Sequence, residues 1–135
     1  MSTQSHTSAL SHYTVLNAMQ VGVIDCPPDA DVATLARTMA DHRIHCVVVN
    51  GPTWGIVSDV DLMASLRPGV EATAGELAAS DVVVVDPADT LEHAAQLMAE
   101  HSTAHLVVVS PDSGRPIGIL STLDVARWAG ADVDV

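Results

Sequence analysis

Apolar residues recur along this chain with two alternating periods. Val32, Leu35, Ala36 and Met39 fall at i, i+3, i+4 and i+7, the stripe of an amphipathic helix. Leu91, Ala94, Ala95 and Met98 repeat that stripe. A short β-branched run follows each one, at 47–49 and at 107–109. Turn residues come next: Asn50-Gly51-Pro52 in one place, Pro111-Asp112-Ser113-Gly114 in the other. A second apolar run, 54–57 or 117–120, completes a hairpin. Ser58 and Ser121 then open a second helix, and an earlier strand at about 21–25 or 82–85 precedes each first helix. The predicted unit is therefore β-α-β-β-α, and it occurs twice.

The two copies also align residue by residue. Met39-Ala40-Asp41-His42 matches Met98-Ala99-Glu100-His101. After a slip of one residue, His45-Cys46-Val47-Val48-Val49 matches His105-Leu106-Val107-Val108-Val109. Gly55-Ile56-Val57-Ser58-Asp59-Val60-Asp61 matches Gly118-Ile119-Leu120-Ser121-Thr122-Leu123-Asp124. The offset grows from 59 at Pro28 to 63 at Ser58, with one added residue placed before His105 and three in the second hairpin loop. A short helix is expected ahead of each copy: Thr73-Ala74-Gly75-Glu76 has capping-box spacing, and residues 14–19 are its cruder equivalent. The organisation read here is a disordered polar tail over 1–12, one repeat at 13–67, another at 68–130 and a small acidic tail at 131–135. One unit of roughly 55 residues buries too little surface to be comfortably stable alone. Two copies packed sheet to sheet would solve that and would create two related clefts.

Composition narrows the function. The chain has 135 residues, five cations, all Arg, and 17 carboxylates, for a net charge of −12. Such a field repels polyanions, which argues against nucleic acid and anionic membrane as partners. Aromatic residues are 2% with no Phe, so no stacking platform for single strands is available. The longest aliphatic run, 82–85, is far short of the roughly 20 residues that span a bilayer. No cation precedes Arg37, so no secretory leader is read, and a cytoplasmic location is expected. Two cysteines, Cys26 and Cys46, are expected to be reduced packing thiols and not a disulfide framework.

The residues Arg43-Ile44-His45-Cys46-Val47-Val48-Val49 with Trp54-Gly55-Ile56-Val57-Ser58-Asp59-Val60-Asp61, and their second-copy matches, resemble a tandem pair of CBS (cystathionine β-synthase) domains, a Bateman module. The resemblance covers about residues 13–130. It implies an α/β (α+β) fold of two pseudo-symmetric β-α-β-β-α repeats packed sheet to sheet. It also implies binding of AMP, ADP, ATP or S-adenosylmethionine in the clefts between repeats. In such modules the Asp of Gly-x-x-Ser/Thr-x-x-Asp holds the ribose hydroxyls and the Ser/Thr lies near the phosphate. The matching positions are Asp61 with Ser58 and Asp124 with Ser121. The chemistry is sensible, because a carboxylate accepts two vicinal hydroxyl donors and a helix start offers N–H groups to an anion. The same Ser-x-x-Asp spacing is equally a helix cap, worth about 1 kcal/mol.

His45 and His105 match the family's phosphate-facing His, while Cys46 and Leu106 stand where an Arg usually follows. Val23, Val83, Ile56 and Ile119 are candidates for the walls of an adenine slot. Loss of both Arg positions, with the net charge of −12, favours AMP or S-adenosylmethionine over ATP. A zinc reading of His42, His45 and Cys46, or of His101 with His105, competes weakly, since paired Cys motifs are missing. No nucleophile elbow, P-loop or dinucleotide fingerprint is present, so no enzymatic role is read. The expectation is a stand-alone regulatory module, with no obligatory cofactor, that senses an adenosyl ligand and signals by shape change to an effector protein. The alternative is a structural or protein-interaction module with no nucleotide. The family resemblance further implies a homodimer, with Leu62, Met63 and Leu66 of one copy and Val125 and Trp128 of the other as its apolar faces. Trp54, like Trp128, is read as a packing residue.

Overall fold

The computed structural model describes residues 10–79 and 82–133. In chain order the elements are α1 (Val15–Ala18), β1 (Gln20–Val21), β2 (Asp25–Cys26), α2 (Val32–His42), β3 (Cys46–Val49), β4 (Gly55–Ser58) and α3 (Asp59–Ser65). There follow α4 (Ala74–Leu77), β5 (Val84–Val85), α5 (Leu91–His101), β6 (His105–Val109), β7 (Pro116–Ser121) and α6 (Thr122–Val133). The predicted β-α-β-β-α order is present twice, as β2-α2-β3-β4-α3 and as β5-α5-β6-β7-α6. The chain forms two units, one of Val23–Val82 and one joining the chain up to Gly22 with Val83 onward.

Within Val23–Val82 the sheet order is β2-β3-β4, with β2 parallel and β4 antiparallel to β3. The stripe residues Leu35 and Met39 of α2 bury against Val47, Val49 and Val57 of the sheet, Leu62 of α3 and Ala74 of α4. Asp31 starts α2 by accepting the Thr34 N–H at 2.8 Å, and Arg43 stops it in the left-handed region at φ 53°. The other unit repeats this plan. Leu91, Ala94 and Met98 of α5 bury against Leu106, Val108 and Leu120, with Val125 of α6 and Val15 and Met19 from the N-terminal segment. Thr90 caps α5 through the His93 N–H at 3.1 Å, and Ser102 stops it at φ 50°. Each fully buried Leu or Val contributes about 1.5–3 kcal/mol.

The sequence repeat and the spatial units divide the chain differently. Boundaries at 13–67 and 68–130 follow the repeat, but the short helix ahead of each repeat packs with the elements of the other. Helix α1 is fixed by Val15 N–H to Asp89 O at 2.8 Å and Leu16 N–H to Pro87 O at 3.0 Å. Helix α4 is fixed in the same way by Ala74 N–H to Ala30 O at 2.7 Å and Gly75 N–H to Pro28 O at 2.8 Å. Strand β1 extends the exchange, pairing antiparallel with β7 to complete the sheet order β1-β7-β6-β5. The single strand expected at 21–25 is thus two. Gly22, at φ 89°, turns the chain between β1 in one sheet and β2 in the other.

The structure also corrects the alignment of the copies. Cys46 pairs with Ser58, whereas His105 pairs with Ser121. His105 therefore matches Cys46, and Ala104 matches His45. Two bonds agree: His45 O accepts from Asp59 N–H at 2.7 Å, and Ala104 O from Thr122 N–H at 2.9 Å. No residue is added before His105; the extra length all lies in the second hairpin, beside the irregularity at Val108/Val109. By the same register Asp25 matches Val84, so the counterpart of Val83 is Ile24 and not Val23.

Of the tail expected at 1–12, residues 1–9 lie outside the described residues, while Leu10 packs against the α5 core. Among the described residues, no helix is long and apolar enough to cross a membrane.

Candidate functional site

Strand alternation separates two faces of each sheet. Val47, Val49 and Val57 point to the helical core, so Cys46, Val48, Ile56 and Ser58 occupy the opposite face. In the other unit Leu106, Val108 and Leu120 point to the core, and His105, Val107, Ile119 and Ser121 occupy the opposite face. Each non-core face therefore ends in a Ser at the start of a helix, with an Ile two residues before it. Val48 lies opposite Ile56, and Val107 opposite Ile119. Sequence reasoning missed Val48 and Val107 as candidates for the apolar wall. Their signal was the alternation within the valine runs, which hides when both faces are aliphatic.

The Ser-x-x-Asp turns are helix caps in this state. Asp61 N–H donates to Ser58 Oγ at 3.2 Å, and Ser58 returns its hydroxyl to Asp61 Oδ2 at 3.0 Å and its N–H at 3.4 Å. Asp124 N–H donates to Ser121 Oγ at 3.2 Å, and Ser121 N–H donates to Asp124 Oδ2 at 2.9 Å. The two carboxylates differ in what else they meet. Asp124 is 4% exposed; its Oδ1 accepts from Gln20 Nε2 at 3.1 Å and lies 3.9 Å from Arg127 Nη1. Asp61 is half-buried and, among the described residues, bonds to Ser58 alone.

The two His candidates are not equivalent. His45 precedes β3, is exposed, and places Nδ1 2.9 Å from Asp59 Oδ2. His105 is the first residue of β6, half-buried, one pleat position later. A one-residue shift in a strand reverses the face a side chain takes. His45 and His105, expected at matched positions, therefore stand one register position apart. Cys46, the true match of His105, is buried, and burial with the nearby Asp59 charge pushes its thiol up to about 11. Cys26 is raised for the same first reason, with Asp25 as the second. Both thiols stay protonated and weakly nucleophilic at neutral pH. Among the described residues no group of three or more His, Cys, Asp or Glu is placed to hold a metal ion.

Val23, Ile24 and Val83 are half-buried at the entrances of β2 and β5, where Ile24 O and Val83 O accept from Val48 N–H and Val107 N–H at 2.9 and 3.1 Å. The expected dimer faces are partly core. Leu62, Val125 and Trp128 pack inward, Trp128 with its ring centroid 4.4 Å from that of Tyr13. Met63 and Leu66 remain more than half exposed, joined by Val60 and Leu123, which the sequence pattern had not singled out.

The CBS domain family model matches the chain twice, at residues 15–68 and 74–130. The chain belongs to the CBS domain family. The Hypoxic response protein 1 of Mycobacterium tuberculosis is 29% identical over 122 residues, covering 84% of this chain and 83% of that one. A crystal structure of CBSX2 in complex with AMP superposes with a TM-score of 0.72 at 27% identity, covering 91% and 99% of the two chains. A crystal structure of Hypoxic Response Protein I with two coordinated zinc ions gives a TM-score of 0.66 at 30% identity, covering 84% and 97%. This CBS pair thus has the repeat fold that its alternating periods predict.

Proposed function

We propose that this CBS pair is a non-catalytic regulatory module that binds an adenosyl ligand and reports it by a change of conformation. The observation that carries the reading is the pairing, on one non-core sheet face, of an aliphatic wall with a Ser-x-x-Asp helix start: Val48 and Ile56 with Ser58 and Asp61. A purine packs on aliphatic side chains, and a ribose diol donates to a carboxylate. The AMP complex of CBSX2 supports the ligand class. Ile119, Ser121, Asp124 and His105 form the second set, and Val23 and Val83 stay as candidates for the slot entrance. AMP or S-adenosylmethionine is the preferred class over ATP. His45 is engaged by Asp59, Cys46 is a neutral thiol, and the chain's charge is −12. The Ser hydroxyls act as caps and not as nucleophiles. The exposed Val60 and Met63 of α3 and Leu66 just after it, with Leu123 of α6, support a homodimer, and the two free thiols suit the cytoplasm.

Thermal unfolding with AMP, S-adenosylmethionine and ATP tests the reading. A ligand at 100 times its Kd adds about 2.7 kcal/mol to stability. A rise with AMP or S-adenosylmethionine that exceeds the rise with ATP is expected. No response to any of the three would leave the module as a protein-interaction unit.

A further inference from the structure

The two Asp residues that the repeat makes equivalent have different neighbours, and the residue types at structurally matched positions account for the difference. Gln20 pairs with Ile119, and the matching partner of Ile56 is Ala79. The glycine before each Ile confirms the match. A Cβ on Gly118 would meet Gln20 O at 2.6 Å, and one on Gly55 would meet Ala79 O at 2.9 Å. Arg127 follows Asp124 by three residues; Ala64 follows Asp61 by three. Both polar neighbours of Asp124 are therefore alanine around Asp61.

We infer that Gln20 and Arg127 hold Asp124 as an internal tie and withhold the second copy from ligand, so that the first copy, at Asp61, binds alone. The inference rests on the adenosyl reading above and adds which half responds. A ribose diol needs carboxylate lone pairs. Asp124 Oδ2 is taken by the Ser121 N–H, and Oδ1 by the Gln20 amide with the Arg127 guanidinium near it. A ligand there must displace a charge-assisted hydrogen bond from a site that is nearly closed to water. At Asp61, among the described residues, only the Ser58 cap competes, through a single carboxylate oxygen. The tie also joins β1 to α6 across 104 residues of sequence, in addition to the backbone pairing of β1 with β7.

Isothermal titration with AMP tests this with two reciprocal grafts. Wild type should bind one AMP per chain. Gln20→Ala with Arg127→Ala gives the second copy the alanines of the first, and should add a second site or raise a weak one about ten- to a hundredfold. Ala79→Gln with Ala64→Arg gives the first copy the tie, and should weaken the wild-type site by a similar factor. The second graft decides alone if the first does not fold. Two equal sites in wild type would overturn the inference while leaving the adenosyl reading intact. So would a single AMP site indifferent to the grafts. Absence of AMP binding to every variant would overturn the adenosyl reading itself, and the inference with it.

Discussion

Gly118 lies directly beneath β1, and one added methyl group there should lift that strand from β7. A Cβ at this position would fall 2.6 Å from Gln20 O, 3.0 Å from Met19 Cε and 3.4 Å from Met19 Sδ. The Met side chain can rotate away, but the carbonyl is backbone and moves only if β1 moves. That strand is held by the pairs Gln20↔Ile119 and Val21↔Gly118 and by Gly22 N–H to Ile117 O at 2.8 Å. Overpacking of this kind costs about 1–3 kcal/mol. Restricting glycine in the unfolded chain returns about 0.4–1 kcal/mol. Gly118→Ala should therefore destabilise by about 1–2 kcal/mol, a fall in Tm of about 3–10 °C. Urea unfolding gives the energy, and amide exchange at Gln20, Val21 and Gly22 shows where it is lost. Gly130→Ala is the control: nothing lies within 4 Å of its Cβ position and it sits in α6, so it should stabilise by about 0.5–1 kcal/mol. A neutral or stabilising Gly118→Ala with unchanged exchange would refute the close approach of β1.

Other perturbations address the core and the thiols. Leu106, fully buried in the α5 core, should cost about 2–5 kcal/mol on truncation to Ala, read as a lower urea midpoint; a loss under about 1 kcal/mol would contradict its packing. Cys46 keeps its proton up to about 11, while the unfolded thiol ionises near 9.0. The unfolded chain therefore binds fewer protons between those values, and stability falls as pH rises across that window. Cys46→Ala should flatten the fall between about pH 9 and about pH 11, and an unchanged slope would place the thiol in contact with solvent. If the proposed homodimer forms through the exposed face of α3, Met63→Asp should shift light scattering from the dimer mass toward the monomer mass of 14.0 kDa; a wild-type protein of monomer mass, or a dimer unaltered by the substitution, would contradict that interface.

Much of the fold was legible because local pattern and long-range packing agree. The stripes at Leu35–Met39 and Leu91–Met98 are the core faces of α2 and α5, and the hairpins follow them where the turn residues lie. The Thr73 capping box is formed as read, with Glu76 Oε1 3.1 Å from Thr73 N. What the sequence hid depends on contacts between distant residues. Nothing local to Gln20 says that it joins β7 a hundred residues later, or that Val21 and Asp25 belong to different sheets. The His45 and His105 match looked natural because both precede valine runs, yet strand register, set by the Cys46–Ser58 and His105–Ser121 pairings, puts them one position apart. Ser58, Ser121, Asp61 and Asp124 were found by motif, but their inequality comes from Gln20 and Arg127, whose counterparts are alanine.

Whether a carboxylate of this CBS pair holds a ribose diol is settled most directly by titrating the protein with AMP and with 2′-deoxy-AMP. The two ligands share base, phosphate and charge and differ in one hydroxyl. A hydrogen bond to a charged group contributes about 1.5–3 kcal/mol, so the deoxy ligand should bind about ten- to a hundredfold more weakly, and Asp61→Asn should shrink that gap. Equal affinity for the two ligands, unaffected by Asp61→Asn, would contradict the assignment of the Ser58–Asp61 turn as the ribose site.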